Sequence, residues 1–284
     1  MNKILITGGS GKIADALTSL EGHLTFTDIR PLPAHSKIPS SSFIQGDLFD
    51  SKFLYSILDN QDFIIHLAAA SNPNTPWNEV YKYNIILFQN FMNAILNYNI
   101  KYVIFASSNR TVGNYEIAKN AFHNYGQTVK HKLDEQSMPR PDSYYAISKL
   151  YGENLGRYFV DLYNIGFISL RIGSVLDVKH DHPFGYAEQL VKEQHIKRSD
   201  ITYQESVNRL KSTWLSRRDF AQIVQKSVEY QKNEFQIFNA ISDNHRAWLS
   251  IHKAKEILDY QPSDNAETWQ MTDIPNNNSI IVSV

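Results

Sequence analysis

The sequence has no cysteine in its 284 residues. Disulfides and thiol nucleophiles are therefore excluded, and the composition is compatible with a reducing compartment. It also lacks any apolar run long enough to cross a membrane. The opening stretch, "MNKILITGGSGKIADAL", offers only Ile4 to Thr7 between a lysine and a glycine. That is too little for the core of a secretory signal, so a cytoplasmic location is expected. Charge of one sign is missing too: the formal net charge is -1 and there is no long basic run. No electrostatic footprint for nucleic acid or an anionic membrane is left. The histidines are scattered. His180 and His182 flank Asp181, and His195 stands alone. These spacings match no metal-ligand pattern, and no metal is expected. Internal repeats and low-complexity segments are absent as well.

What is present is an ordinary globular balance of 42% hydrophobic and 20% charged residues, which argues against wholesale disorder. The length suits one large domain or a domain with a small lobe. Through the first 170 or so residues short β-branched or aliphatic runs alternate with longer amphipathic stretches, the βαβ rhythm of a parallel sheet. Strands are predicted near 3–7, 23–28, 41–45, 62–67, 101–106 and 166–172, with helices near 12–20, 50–59, 76–98 and 143–164. After Arg171 the rhythm breaks down. The polar stretch to about 204 shows one short helical segment, and "EFQIFNAI" is a clear strand. In "TWLSRRDFAQIVQKSVEYQ", Phe220, Ile223, Val224 and Val228 fall at helical spacing behind Asp219, a core-packing pattern. The tail "TDIPNNNSIIVSV" reads as frayed or as a docked strand. This organisation predicts a domain over 1–172 and a mainly substrate-binding lobe over 173–284 that returns some segments to the first.

"KILITGGSGKIADAL" sets Gly8, Gly11 and Ala14 between an apolar strand and a helix. Glycine allows the tight turn and lets backbone N–H groups approach a pyrophosphate, and a small third residue lets helix and strand pack closely. "HLTFTDIR" then places Asp28 at the end of the second strand. An acid there accepts hydrogen bonds from both adenosine ribose hydroxyls and repels a 2′-phosphate, so NAD is favoured over NADP. Arg30 reads either as a receiver for such a phosphate or as a solvated loop charge. "GDLFD" puts Asp47 after the third strand, where a carboxylate can take the adenine amino group, and "HLAAAS" supplies small residues where the backbone passes the cofactor. The fold class that follows is α/β: a Rossmann-type doubly wound parallel sheet with a small carboxyl-terminal substrate lobe.

"RPDSYYAISKLYGEN" contains Tyr144, Tyr145 and Lys149. On a helix, residues four apart share a face and residues five apart do not, so Tyr145 pairs with Lys149 and Tyr144 does not. A free phenol has a pKa of about 10, and lowering it by roughly 3 units takes about 4 kcal/mol of preferential phenolate stabilisation. A nearby ammonium, with the cofactor's own positive ring, can supply it. "IFASSNRTVG" ends a buried strand at Ser107 and Ser108, where a hydroxyl can hold a substrate beside the tyrosine.

Glycine-rich turn, strand-end acid, strand-end serine and Y-x-x-x-K, in that order, resemble the extended short-chain dehydrogenase/reductase superfamily of NAD-dependent epimerases and dehydratases. Its S-S-x-x-V-x-G pattern selects Ser108, with Thr111 standing where the pattern has valine. "SSNRTVG", "RPDSYYAISKLYGENLGRYF", "SLRIGS", "RLKSTWLSRRDF" and "SDNAE" are most similar to the NAD-dependent uronate dehydrogenases. That resemblance implies oxidation of the anomeric hydroxyl of a hexuronic acid or related sugar to a lactone. It implies Tyr145 as base, Lys149 as its modulator and a ribose contact, and Ser108 as the residue that orients the substrate. The implied cofactor site comprises Gly8, Gly11, Lys12 and Ile13, then Asp28, Arg30, Asp47 and Leu48, and Leu67, Ala68 and Ala69 beside Tyr145 and Lys149. Ser71, Ser108, Asn109, Arg110 and Ser174 would line the sugar, and Arg209 would hold its carboxylate. Arg209, in a polar stretch, reads equally as a surface residue. Arg110 stands where these enzymes carry histidine, and the insert before Arg209 is long, so a neutral aldose is an alternative substrate.

A nucleotide-sugar epimerase or dehydratase shares the tyrosine and lysine but needs a larger lobe, and "SSNRTVGNYE" lacks the acidic pair of a 4,6-dehydratase. A non-catalytic dinucleotide sensor is the reading from another class. "VYKYNIILFQNFMNAIL" is more apolar than one buried face requires, which favours either burial on two sides or an interface, and the helices at 76–98 and 143–164 are the expected seam of a homo-oligomer.

Overall fold

The computed structural model describes residues 1–118 and 132–274. Seven strands make one sheet in the order β3-β2-β1-β4-β5-β6-β7, each paired in parallel with its neighbours. They are β1 (Lys3–Thr7), β2 (His23–Asp28), β3 (Phe43–Gln45), β4 (Phe63–His66), β5 (Tyr102–Ser108), β6 (Gly166–Ile172) and β7 (Phe235–Ala240). Alternate residues leave opposite faces of the sheet. Ile4, Ile6, Ile65, Ile104 and Leu170 enter one apolar layer, whereas Leu5, Ile64, Val103, Phe105 and Phe167 enter the other. Burial on both faces is why these strands read as unbroken apolar runs in sequence. This is the doubly wound Rossmann-type α/β fold. Strand order reverses at β1, which lies between β2 and β4, and such a sheet has its ligand crevice at the carboxyl ends beside that reversal.

α1 (Ser51–Leu58) is capped by Asp50, whose Oδ1 accepts from the N–H groups of Lys52 and Phe53. The helix expected at 76–98 forms as α2 (Trp77–Val80) and α3 (Leu87–Ile95), joined by a π-helical stretch over Tyr81–Ile86. A short α4 (Asn114–Ala118) follows β5 and its 3-10 extension, Asn109–Val112. α5 (Tyr144–Tyr163) starts at Ser143, whose Oγ accepts from Ala146 N–H, and ends at Asn164 in the left-handed conformation, φ 55°. Trp77, Tyr81, Tyr144 and Ile147 are exposed on the outer side of α2, the π-helical stretch and α5.

Two expectations are corrected. The turn after β1 leads into a 3-10 helix, Ala14–Ser19, and not into an α-helix over 12–20. Ala14, Leu17 and Leu20 are all buried and recur every third residue. Three residues per turn stacks them on the core, where an α-helix would rotate them apart. The polar stretch to about 204 holds its one short helix, α6 (Gly185–Lys192), but at its end begins a second, α7 (Ile201–Thr213), that was not expected. α7 buries Tyr203, Val207 and Leu210 in small apolar clusters with Phe184, Trp214 and Trp269. Gln204, Glu205, Asn208 and Lys211 surround that narrow stripe and hide it in the sequence.

α8 (Arg217–Tyr230) packs Phe220, Ile223, Val224 and Val228 into the main core. Asp219 in its first turn is buried and accepts from Ser242 Oγ at 2.6 Å. β7 and α9 (His252–Leu258) complete the sheet side. Residues 275–284 of the tail lie outside the described residues. Among the described residues no helix is long and apolar enough to cross a membrane.

Candidate active site

β1 ends at Thr7 and the chain turns at Gly8 with φ 78°, a left-handed conformation that favours glycine. A Cβ on Gly8 would stand 2.7 Å from Ala68 N and 2.8 Å from the Leu67 carbonyl carbon. The turn thus packs on the segment that leaves β4, across the reversal in strand order. Leu67 N–H donates to Thr7 O at 3.1 Å, and Gly11 N–H to Gly8 O at 2.9 Å. Ile13 packs against the core; Lys12 is exposed, and its carbonyl accepts from Arg217 Nη1 at 2.7 Å.

At the end of β2, Asp28 Oδ2 accepts from Ser10 N–H at 3.1 Å and Oδ1 from Arg30 N–H at 2.9 Å. Both oxygens keep lone pairs for ribose hydroxyls. The Arg30 side chain, 67% exposed, leans back on Asp28 with Nε 3.4 Å from Oδ1. Asp47 caps the next turn through Phe49 N–H at 2.9 Å, beside buried Leu48. Past Leu67, Ala68 and Ala69 the chain is held by Asn84: its Oδ1 accepts from Ala70 N–H at 2.7 Å, and its Nδ2 donates to Ala70 O at 3.2 Å and Ser148 Oγ at 2.9 Å. Ser71 beyond it is exposed. A cradle only glycine can line, with a strand-end carboxylate beside it, fits a dinucleotide.

Tyr145 faces the carboxyl end of β5, where the Ser108 hydroxyl and the Arg110 charge favour its ionised form. Ser107 points to the opposite face of the strand and donates to buried Glu153 Oε1 at 2.6 Å. Glu153 also accepts from Arg171 Nε and Nη2 at 3.0 and 2.9 Å, a buried pair beneath the site. Tyr144 is exposed and lies against Trp77, ring centroids 5.4 Å apart. One turn along α5, the Lys149 ammonium sits 5.5 Å from the Tyr145 ring centroid and 4.8 Å from that of Phe105. Burial pushes the Tyr145 phenol up to about 12 against the Ser108 hydrogen bond and the Arg110 charge, with Asp142 adding to the rise. Burial pulls Lys149 down to about 7. Each group resists its own charge, so in the cofactor-free protein Lys149 gives up its proton ahead of the Tyr145 phenol.

Of the remaining sugar-site candidates, Asn109 and Arg110 follow Ser108 directly, while Ser174 follows β6 and Arg209 lies on α7. Asn109 is buried, with Oδ1 3.4 Å from Ser108 Oγ. Ser174 and Thr213 share a hydroxyl hydrogen bond of 2.9 Å. Arg110 Nη1 donates to Asp142 Oδ2 at 2.8 Å, and Arg209 Nε donates to Glu116 Oε1 at 2.7 Å. Asn84, Asp142 and Glu116, which hold Ala70, Arg110 and Arg209 respectively, were passed over in the sequence reading. Asn84 carries a visible signal, a lone amide in the apolar run "VYKYNIILF"; Asp142 and Glu116 carry none beyond their nearness to the motifs.

The family model that matches the chain, over residues 4–239, is described as the NAD dependent epimerase/dehydratase family. An NAD-dependent glucose-6-phosphate dehydrogenase of Haloferax volcanii is 30% identical over 273 residues, covering 93% of this chain and 94% of that protein. An L-arabinose 1-dehydrogenase (NAD(P)(+)) of the same organism is 30% identical over 270 residues, covering 94% and 99%. The crystal structure of a glucuronic acid dehydrogenase from Chromohalobacter salexigens matches with a TM-score of 0.71 at 25% identity, covering 94% of this chain and 86% of that one. A glycine cradle, strand-end acid and tyrosine–lysine pair on this sheet agree with that match, and the chain belongs to the NAD-dependent epimerase/dehydratase family, with NAD as its cofactor.

Proposed function

We propose that this chain, an NAD-dependent sugar dehydrogenase, oxidises the anomeric hydroxyl of a free sugar, a hexuronic acid or related aldose, to the corresponding lactone. The observation that carries this reading is the contact of Ser108 with Tyr145 at the carboxyl end of β5, with Lys149 one turn behind. Gly8, Gly11 and Asp28 would hold the cofactor's phosphates and ribose, with Leu67, Ala68 and Ala69 beside it. Bound there, NAD supplies the hydride acceptor. Ser108 holds the anomeric oxygen, and Tyr145 takes its proton. Lys149 stabilises the phenolate, which burial alone disfavours. Asp142 and Arg110 set the charge around Tyr145 from opposite signs.

Two observations narrow the class to free sugars. Between β6 and β7 the described residues hold three helices of 8 to 14 residues and no large lobe for a nucleotide. The relatives named above act, by their names, on a sugar phosphate, a pentose and a sugar acid. The exposed aromatic face shared by α2 and α5 supports the homo-oligomer expected from the sequence. The test is a sugar carrying deuterium at its anomeric carbon. The label is expected in the reduced cofactor, with a slowed rate; label retained in the sugar would place the chemistry at another carbon and sink the reading.

A further inference from the structure

We infer that Arg217 is a positioning residue that ties the glycine turn to the segment leaving β6, so that NAD binding also orders the rim of the Ser108–Tyr145 site. The inference rests on the reading of the Gly8–Gly11 turn as the place of the cofactor's phosphates. Arg217 opens α8, and its side chain is 11% exposed. Its Nη1 donates to Lys12 O at 2.7 Å and to Leu176 O at 3.0 Å, and its Nη2 pairs with the Asp15 carboxylate. Lys12 follows directly on Gly11, and Asp15 stands in the 3-10 helix into which the turn runs. Leu176 belongs to the segment after β6. A guanidinium carries its donors in a rigid planar fork, so a shift of one partner is passed to the others, which an ammonium on a flexible stem would not do.

The main chain of Arg217 is anchored as well. Its N–H donates to Asp181 Oδ2 at 3.0 Å, and Asp181 Oδ1 accepts from Trp214 Nε1 at 3.2 Å. Trp214 is buried in a small apolar cluster with Leu210, against which Leu176 packs. The start of α8 therefore cannot tilt without disturbing the same segment that the guanidinium holds.

That segment borders the reacting groups. Ile172 lies beside Ser108 in the sheet register, so the residues from Gly173 to Leu176 leave the sheet next to the strand end that Tyr145 faces. Ser174 N–H donates to Thr213 O at 2.7 Å, and Leu215 N–H donates to Ser174 O at 3.1 Å, which binds the segment to the chain entering α8. The path from the turn to the reacting groups runs from Lys12 through Arg217 to Leu176, then back along the chain to Ile172 and across to Ser108. Phosphates that fix the turn thus restrict the segment that Arg217 fixes to it, and by linkage an ordered segment favours the turn that holds phosphates.

The test follows hydrogen exchange by mass spectrometry on the full chain with and without NAD, and titrates NAD and adenosine into wild type, Arg217→Met and Gly8→Ala. In wild type NAD is expected to slow exchange by about tenfold or more at 174–184 as well as around the turn. In Arg217→Met the slowing at 174–184 should vanish and NAD affinity should fall by about tenfold. Adenosine, which reaches Asp28 and not the turn, should bind both proteins within about twofold of each other. General damage to the fold would weaken both ligands alike. Absence of slowing at 174–184 in wild type, its survival in Arg217→Met, an unchanged NAD affinity in that variant, or an equal loss of NAD and adenosine overturns the inference. If Arg217→Met does not fold, the double variant with Asp15→Asn, which leaves no carboxylate without its cation, replaces it, and if that fails too the wild-type exchange decides alone. Gly8→Ala binding NAD as wild type does would instead overturn the placement of the phosphates, and this inference with it.

Discussion

Replacing Lys149 by methionine isolates the energetic cost of placing an ammonium behind Tyr145. Lys149 is 3% exposed, and burial pulls it from 10.5 down to about 7. At about 1.4 kcal/mol per pKa unit, holding the charge in the fold instead of in water costs up to about 5 kcal/mol. The folded value lies below the unfolded one. Between about pH 7 and 10.5 the unfolded chain therefore binds a proton that the folded chain lacks, and stability from this group rises with pH. Below about pH 7 both states are protonated and the full cost is present. Methionine is uncharged, has a similar length and suits the Phe105 ring against which Lys149 lies. Cofactor-free Lys149→Met is therefore expected to be more stable than wild type at about pH 6, by roughly 1–4 kcal/mol, with the gain shrinking toward pH 10. Urea unfolding midpoints across that range measure it, while catalytic activity should fall sharply. A variant less stable than wild type at pH 6, or a difference indifferent to pH, would refute the reasoning.

The same pair sets the pH dependence of turnover. Oxidation at low sugar concentration should show a limb near pH 7, where Lys149 titrates ahead of Tyr145, and Lys149→Met should abolish or displace that limb. A limb unmoved by the substitution would remove Lys149 from the titration. Gly8→Ala combines a left-handed φ with a Cβ 2.7 Å from Ala68 N, so NAD affinity measured by fluorescence titration should drop by at least about tenfold; unchanged affinity would mean the turn does not hold the cofactor. Asn84→Ala removes three hydrogen bonds at Ala70 and Ser148 and should cost about 2–3 kcal/mol in unfolding experiments and raise the KM for NAD. Loss of stability with KM untouched would make Asn84 a scaffold residue alone.

The sheet was legible because its strands are buried on both faces, leaving compact apolar runs such as "FIIH" and "YVIFASS" between helical stretches. The choice of Tyr145 over Tyr144 followed from helical spacing, and the two side chains do face opposite ways, one to Ser108 and one to Trp77. Periodicity failed where the helix type changed: Ala14, Leu17 and Leu20 suit three residues per turn, a spacing read as α-helical. It failed again at α7, whose buried stripe is narrow and polar on every flank. Charge pairing was illegible altogether. Arg209 and Glu116 are 93 positions apart, and only the fold reveals that the arginine singled out for a sugar carboxylate already holds one.

The central claim is that Tyr145 removes the proton from a sugar hydroxyl as NAD is reduced. The most direct test follows NADH absorbance with free sugars for wild type and Tyr145→Phe, with cofactor binding to both tracked by fluorescence. The account expects sugar-dependent NADH from wild type, a loss of at least about a thousandfold in Tyr145→Phe, and equal cofactor binding by the two. Sugar-dependent NADH from Tyr145→Phe at a rate near wild type would contradict it.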